Sequence, residues 1–163
     1  MLPTVYNVVP VGAGQLSVMA MPVSGQRIQE EFAGLRQLGI DHVVSLLERP
    51  EQIDVGLADE ATLCERNGMR YTAFPIVDRD VPQQADARPF VAALYQDIYS
   101  GEHVVIHCRV GIGRTGIIAS AILVHGGHSP GEAIHMVSFA RGMLVPDTQE
   151  QVDWVDAFAA GPA

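Results

Sequence analysis

The stretch "HVVIHCRVGIGRTGIIASAILV" occupies residues 103–124 and changes character halfway along. Residues 103–107 are mostly β-branched, which is typical of a buried strand, whereas residues 115–124 are almost wholly apolar and long enough for a buried helix. The glycines between the two segments allow a tight turn. The stretch therefore predicts a strand, a tight loop and a helix in direct succession, with Cys108 where the strand ends.

The loop after Cys108 has the composition of an anion-binding site. Gly111, Gly113 and Gly116 allow backbone N–H groups to turn inward, and the following helix contributes the positive end of its dipole. A thiol in such a field loses its proton more readily than a free cysteine does. Cys108 is therefore expected to be a thiolate nucleophile at neutral pH.

Two side chains beyond the glycines fit the same chemistry. Arg114 presents a planar fork of donors that can hold two oxygens of a tetrahedral anion. The hydroxyl of Thr115 can donate a hydrogen bond to the Cys108 sulfur, which would stabilise the thiolate. The sequence thus predicts a loop that binds an oxyanion above a nucleophile.

These residues resemble the signature of the cysteine-based protein tyrosine phosphatase superfamily, which is His-Cys, five residues, Arg, then Ser or Thr. The signature is complete here in His107, Cys108, Arg114 and Thr115. The chain looks like one of the small, atypical dual-specificity phosphatases, which implies hydrolysis of phosphate monoesters through a phosphocysteine intermediate. The resemblance also implies that His107 supports the loop by a hydrogen bond to its backbone. The residues implied to bind the substrate phosphate are Arg109, Val110, Gly111, Ile112, Gly113 and Arg114.

The rest of the chain alternates strands and helices. Strands are predicted at 5–9, 15–21, 41–47, 70–76 and 103–107, and helices near 25–38, 57–67, 86–100, 115–126, 130–141 and 147–159. This order predicts an α/β fold with a central, mostly parallel sheet flanked by helices, and the resemblance implies the protein tyrosine phosphatase-like fold. Ligands of such sheets bind beyond the carboxyl ends of the strands, where Cys108 lies.

Composition limits the class of protein. A chain of 163 residues with 48% hydrophobic content can form one compact core, so residues 1–163 are expected to form a single phosphatase domain. The net charge of −9 argues against nucleic acid and anionic membranes as partners. Neither a leader nor an apolar run of membrane-spanning length is evident, and two cysteines suit a reducing compartment. These features favour a cytoplasmic monomer.

Hydrolysis of a phosphate monoester needs an acid that protonates the leaving oxygen. The segment "FPIVDRDVP" (74–82) offers Asp78 and Asp80 on a loop that leaves a strand. Asp78 is favoured, because small dual-specificity-like phosphatases carry the acid at a similar distance before the cysteine. Asp80 would cap or brace the loop. The alternative is that both carboxylates only form a solvated turn.

The segment "VPDTQEQVDW" (145–154) resembles a late loop of the superfamily, which carries a glutamine or an acidic residue that positions water for the second step. By register, Asp147 and Gln151 fall on it. The residues alone also predict the capped start of a helix at 147–150. The two roles are compatible.

Three other residues are not assigned to the reaction. Cys64 lies on the apolar face of a predicted helix, which favours a buried core residue. The resemblance leaves an alternative open, because some phosphatases of the lipid-phosphatase branch form a reversible disulfide with the nucleophile from a similar setting. His125 and His128 lie at a helix end without an evident carboxylate or thiol partner, so neither a metal site nor a cofactor is expected.

The substrate is expected to be a phosphorylated protein or a small aryl phosphate. Val110 and Ile112 cannot neutralise additional phosphates, which favours monophosphorylated groups: phosphotyrosine, with phosphoserine and phosphothreonine as further candidates. A phosphate-binding pseudo-phosphatase is one alternative, and the intact Cys108, Arg114 and Asp78 weigh against it. A rhodanese-like sulfurtransferase also carries a cysteine in a strand-to-helix loop, but His107 and the acid loop weigh against that class. Turnover of an aryl phosphate would discriminate among the three.

Overall fold

A five-stranded sheet forms the centre of the computed structural model, which describes residues 2–162. The strands are β1 (Tyr6–Val11), β2 (Gly14–Met19), β3 (His42–Ser45), β4 (Arg70–Ala73) and β5 (His103–His107), in the order β1-β2-β5-β3-β4. β1 runs antiparallel to β2, and the other neighbouring pairs are parallel. The prediction of a mostly parallel sheet built from these five segments is therefore confirmed.

Seven helices pack around the sheet within residues 2–162. They are α1 (Ile28–Gln37), α2 (Arg49–Asp54), α3 (Glu60–Arg66), α4 (Gln84–Tyr99), α5 (Gly113–His125), α6 (Pro130–Arg141) and α7 (Gln149–Ala160). Six of them correspond to predicted helices, with ends shifted by a few residues. Helix α2 was not predicted, because one and a half turns are too short for a periodic pattern. Its start does carry local signals: Pro50 in the first turn and a capping box between Glu48 and Glu51.

Strand β5 lies in the middle of the sheet and contributes to the core on both faces. Val104 and Ile106 belong to a large apolar cluster shared with helices α4 to α7, whereas Val105 belongs to a smaller cluster shared with α1 and α3. This alternation follows from the two-residue period of a strand. Helix α5 is buried from 114 to 123, so the loop between β5 and α5 is anchored in the core at both ends.

Parallel topology brings three separate segments to one edge of the sheet. The carboxyl ends of β3, β4 and β5 point the same way, so the residues that follow each strand meet at that edge. Those segments carry Glu51 after β3, Asp78 after β4 and Cys108 after β5.

Candidate active site

The loop from Cys108 to Ile112 has its carbonyl groups held from outside. The Met21 N–H donates to the Arg109 carbonyl at 3.1 Å. The Arg141 guanidinium donates to the carbonyls of Val110 at 2.9 Å and Gly111 at 3.3 Å. Because C=O and N–H of a trans peptide point in opposite directions, the N–H groups of residues 110–112 turn away from these donors. The loop can therefore present successive N–H groups to an anion above Cys108.

A cavity of about 250 Å³ opens over this loop. It is lined by Asp78, Arg79, Cys108, Arg109, Val110, Ile112, Gly113, Arg114, Asp147 and Gln151. The structure thus brings together most of the side chains that the sequence singled out, from three separate segments. The predicted site residues His107, Gly111, Thr115 and Asp80 lie outside the lining. Arg79 lines the cavity and was not predicted.

Arg114 is buried, with 2% of its side chain exposed, and its guanidinium is held by a carboxylate that was not predicted. Nη1 and Nη2 lie 2.7 Å and 3.0 Å from the two oxygens of Glu51, and Nη1 also donates to the Ile76 carbonyl at 2.9 Å. Burial by itself would lower the pKa of Arg114, but the Glu51 hydrogen bond and nearby negative charge outweigh it and raise the pKa. The same hydrogen bond lowers the pKa of Glu51.

These contacts divide the donors of Arg114 into two sets. Glu51 and Ile76 occupy both Nη1 hydrogens and one Nη2 hydrogen. The Nε hydrogen and the second Nη2 hydrogen lie along the other edge of the planar group. That edge matches two oxygens of a tetrahedral anion.

The loop after β4 places its two aspartates differently. Asp78 Oδ1 lies 3.2 Å from Arg114 Nη2, and 61% of the Asp78 side chain is exposed at the cavity. Asp80 instead accepts the Val81 N–H on its carboxylate at 2.7 Å and a Gln151 N–H on its carbonyl at 3.2 Å. Asp80 therefore braces the loop, and Asp78 is the one directed at the arginine.

Arg79 links the loop after β4 to the segment before α7. Its Nη1 lies 2.9 Å from Asp147 Oδ2, which joins two sides of the cavity. Arg79 also adopts a left-handed backbone with φ 62°, an uncommon conformation for a residue with a side chain. This ion pair joins distant segments, so no local pattern could have indicated it.

The start of α7 is capped one residue later than the sequence indicated. The N-cap residue is Thr148, whose hydroxyl accepts the Gln151 N–H at 3.2 Å. The Gln151 side-chain oxygen in turn accepts the N–H groups of Asp147 and Thr148 at 2.9 and 3.2 Å. Gln151 is therefore largely committed to capping, whereas the Asp147 carboxylate faces the cavity.

His107 lies directly behind the nucleophile and is fully buried. Nδ1 is 3.0 Å from the Cys108 carbonyl oxygen, and Nε2 is 2.6 Å from Oε2 of Glu60, a buried residue that was not predicted. Burial by itself would lower the pKa of His107, but Glu60 and the Cys108 carbonyl outweigh that effect and raise it. The signal for Glu60 in the sequence is faint: a charged residue among the apolar positions of a short helix.

Thr115 does not make its predicted contact. Its side chain is enclosed in the first turn of α5, and its hydroxyl has no hydrogen-bond partner within residues 2–162. The expected hydrogen bond to the Cys108 sulfur is therefore not formed in this structure.

Cys64 is a core residue, as the apolar face of its helix predicted. Burial and the neighbouring Glu60 raise the pKa of its thiol to about 12. No disulfide joins Cys64 and Cys108 in this structure.

The histidines at the end of α5 lie away from the cavity. His125 packs edge-on against Tyr95, with ring centroids 5.1 Å apart. His128 does have a carboxylate neighbour, contrary to expectation: its Nδ1 lies 3.6 Å from Glu132 one helical turn later, at the exposed surface.

In the described part of the chain, one group of side chains has the spacing of metal ligands, namely His42, Asp97 and Glu102. Arg70 already supplies a cation there, because its Nη1 lies 2.6 Å from Glu102 and 3.5 Å from Asp97. This cluster lies at the amino ends of β3, β4 and β5, opposite the cavity. Within residues 2–162, no helix has both the length and the apolar character needed to span a membrane.

Comparison with solved structures shows the fold. Kinase-associated phosphatase, in a form whose catalytic-site cysteine is replaced by serine, superposes with a TM-score of 0.88 at 20% identity, over 100% of this chain and 99% of that one. Tk-PTP in its active form gives 0.81 at 25% identity, over 99% and 100% of the two chains. The protein tyrosine phosphatase-like fold is therefore confirmed.

Among curated proteins, the Arabidopsis thaliana enzyme PTEN1, named a phosphatidylinositol 3,4,5-trisphosphate 3-phosphatase and protein-tyrosine phosphatase, is 33% identical over 95 residues. The alignment covers 53% of this chain and 23% of PTEN1. The chain spans about half or less of the length of the curated relatives that it matches.

A family model described as "Tc-R-P: Polymorphic toxin system, DSP-PTPase phosphatase" matches residues 17–128. That range runs from β2 through α5 and includes Glu51, Glu60, Asp78, Cys108 and Arg114. The match extends over more than half of the chain, and the protein is therefore a member of this DSP-PTPase phosphatase family, a small dual-specificity-like branch of the protein tyrosine phosphatase superfamily.

Proposed function

We propose that this phosphatase hydrolyses phosphate monoesters on proteins, phosphotyrosine foremost, through a phosphocysteine intermediate on Cys108. The observation that carries the proposal is the convergence of Cys108, Arg114 and Asp78 on one cavity. These side chains supply a nucleophile, an anion-binding fork and an acid. Residues 1–163 would act as one phosphatase domain without a cofactor.

In the first step, the free edge of Arg114 and the loop N–H groups bind the phosphate oxygens above Cys108. The thiolate attacks phosphorus, the S–P bond forms, and the bond to the leaving oxygen breaks. Asp78, in its acid form, gives that oxygen its proton. The 3.2 Å separation of Asp78 and Arg114 supports this assignment, because a phosphate held on the arginine would have its leaving oxygen near the acid.

In the second step, water hydrolyses the phosphocysteine. Asp78, now a carboxylate, takes a proton from the water, and the S–P bond breaks to restore the Cys108 thiolate. Asp147 is better placed than Gln151 to position this water, because Arg79 holds only one of its carboxylate oxygens, whereas both the oxygen and the nitrogen of the Gln151 amide are engaged in the cap of α7 and with Asp80.

The shape of the site supports a monophosphorylated aryl or peptide substrate. Val110 and Ile112 give the lining an apolar portion, and 54% of Val110 is exposed. Such a surface suits the ring of phosphotyrosine and still admits phosphoserine or phosphothreonine. The proposal includes the cytoplasm as the site of action, because a thiolate nucleophile must stay reduced, and a monomer as the active form.

Leaving-group dependence tests the proposal and separates the two aspartates. Asp78→Asn is expected to slow hydrolysis of phenyl phosphate by on the order of 10²–10⁴, because a basic leaving oxygen needs the proton. Activated aryl phosphates should lose much less. Asp80→Asn is the matched control. Any loss of rate relative to the wild type should be the same for phenyl phosphate and for activated aryl phosphates.

Two results would overturn these assignments. If Asp80→Asn rather than Asp78→Asn showed the leaving-group dependence, the acid would be Asp80. If the wild-type protein bound vanadate but turned over neither aryl phosphates nor phosphopeptides, it would be a phosphate-binding pseudo-phosphatase.

A further inference from the structure

A buried pair of titratable side chains lies behind the nucleophile and takes no part in the reaction described above. Glu60, in α3, and His107, at the end of β5, are 1% and 0% exposed, and the distance between Oε2 and Nε2 is 2.6 Å. The two residues are far apart in the sequence and belong to different elements. A polar contact of this kind is costly to bury unless its hydrogen bonds are satisfied.

The hydrogen bonds show how many protons the pair holds. The Cys108 carbonyl can only accept, so His107 Nδ1, 3.0 Å away, must carry a hydrogen. The 2.6 Å contact requires one further proton between Nε2 and Glu60. The pair therefore holds two protons, one on Nδ1 directed at the loop and one between Nε2 and Glu60, and the raised pKa of His107 favours the imidazole as the carrier of the second.

Holding the Cys108 carbonyl has a consequence for the anion site. The carbonyls of residues 109–111 are held by Met21 and Arg141, and His107 holds the carbonyl at 108. Since C=O and N–H of a trans peptide are opposed, His107 turns the Arg109 N–H away from itself and toward the loop's concave side. His107 thus completes a run of four oriented N–H groups.

We infer that Glu60 is a positioning residue that keeps His107 doubly protonated, so that His107 orients the Cys108–Arg109 peptide and favours the thiolate form of Cys108. The inference rests on the proposed role of Cys108 as the nucleophile. Glu60 acts through His107, because of these two residues only His107 donates a hydrogen bond to the loop.

The other groups around His107 do not offer an equivalent charge. Cys64, one helical turn after Glu60, and Tyr71, on β4, have pKa values raised to about 12 by burial and stay neutral. Arg114 is cationic and opposes protonation of His107, but its guanidinium is paired with Glu51. Glu60 is therefore the anion that stabilises an imidazolium at this position.

The test replaces Glu60 by Gln and follows the rate at which iodoacetamide alkylates Cys108 as a function of pH. The amide removes the negative charge but retains the shape of the side chain, so the imidazolium is no longer stabilised. The midpoint of the alkylation profile is expected to move to higher pH by about one unit, with alkylation at pH 6 slower by about tenfold. Glu60→Asp, which restores the charge, should recover part of the shift.

Glu65→Gln is the matched control, since it makes the same chemical change on the exposed side of the same helix. Its alkylation profile should overlay that of the wild type. If the Glu60→Gln profile also overlaid the wild type, Glu60 would have a purely structural role and the inference would be wrong.

A second measurement uses the wild-type protein and does not depend on how a variant folds. Nitrogen-15 NMR of the His107 ring should show both nitrogens protonated at pH 6, and Nδ1 protonated throughout the pH range in which the protein is folded. An unprotonated Nδ1 or Nε2 at pH 6 would overturn the inference.

Neither readout requires turnover, so the role of Glu60 and the phosphatase activity can each be refuted without the other. A shifted alkylation midpoint in a protein that hydrolyses no phosphate monoester would leave Glu60 a positioning residue and refute the phosphatase proposal. An unshifted midpoint in an active phosphatase would refute the role of Glu60 and leave the phosphatase proposal standing.

Discussion

The two edges of the Arg114 guanidinium have different roles, one structural and one in substrate binding. Its Nη1/Nη2 edge is held by Glu51, and its Nε edge is left for the substrate. A lysine could keep the charge but could not present two fixed edges. The planar fork therefore matters at this position as much as the charge.

Arg114→Lys is expected to lower kcat/KM for an aryl phosphate by on the order of 10³, because one oxyanion donor alone is worth about 10²–10³. Arg88→Lys is the control. Arg88 also donates to backbone carbonyls and a side-chain oxygen, but at the contact of α4 with α7. Steady-state kinetics that gave Arg114→Lys a kcat/KM close to the wild type would contradict the proposed use of the two edges.

At the scale of elements, the strand, loop and helix around Cys108 could be predicted because their signals are local. A β-branched run, glycines and a long apolar segment follow one another within a few turns of chain. Glu51 and Glu60 could not be predicted as partners of Arg114 and His107, because they lie 63 and 47 residues away in the sequence. Such pairs become visible only when parallel strands bring their carboxyl ends together.

Gly111 carries a strict local requirement that can be measured. Its φ is +80°, and a Cβ there would lie 2.5 Å from the Met19 carbonyl oxygen. Gly111→Ala is therefore expected to lower the free energy of unfolding in urea by about 2–3 kcal/mol and to reduce turnover, because strain and overlap add.

Gly131→Ala is the matched control for Gly111→Ala. Gly131 lies in the first turn of α6 with open space around its Cα, so alanine there should raise the free energy of unfolding by about 0.5–1 kcal/mol. Equal effects of the two substitutions would show that the loop tolerates a side chain at 111.

At the scale of the whole molecule, the two ends of the parallel sheet carry different groups. The carboxyl ends of β3, β4 and β5 carry the cavity, whereas their amino ends carry buried His42 beside Glu102, and half-buried His103, whose backbone N–H donates to Asp41. Burial lowers the pKa of both His42 and His103. Protonation of either imidazole therefore opposes folding.

The pH dependence of stability follows from the sign of these shifts. An imidazole with a lowered pKa in the folded state binds protons more weakly than in the unfolded state, so stability is lost as the pH falls below about 6.5. His42 and His103 should each contribute a slope of at most about 1.4 kcal/mol per pH unit. His107, whose pKa is raised, has the opposite sign and loses its contribution as the pH rises through its folded value.

The free energy of unfolding is therefore expected to fall between pH 6.5 and 5, and His42→Gln should flatten that decline. Exposed His128, mutated to Gln, is the control and should leave the slope unchanged. Urea unfolding at a series of pH values makes the comparison. A His42→Gln profile parallel to the wild type would show that this imidazole is not the source of the acid sensitivity.

The central claim is that Cys108 carries the phosphoryl group between the two steps. Rapid-quench reaction with a radiolabelled aryl phosphate, followed by peptide mapping, tests it most directly. We expect a transient label on the peptide that contains Cys108, more label when Asp147→Ala slows hydrolysis of the intermediate, and neither label nor turnover in Cys108→Ser. Undiminished turnover by Cys108→Ser would contradict this claim. So would turnover by the wild type if neither the wild type nor Asp147→Ala showed label on that peptide.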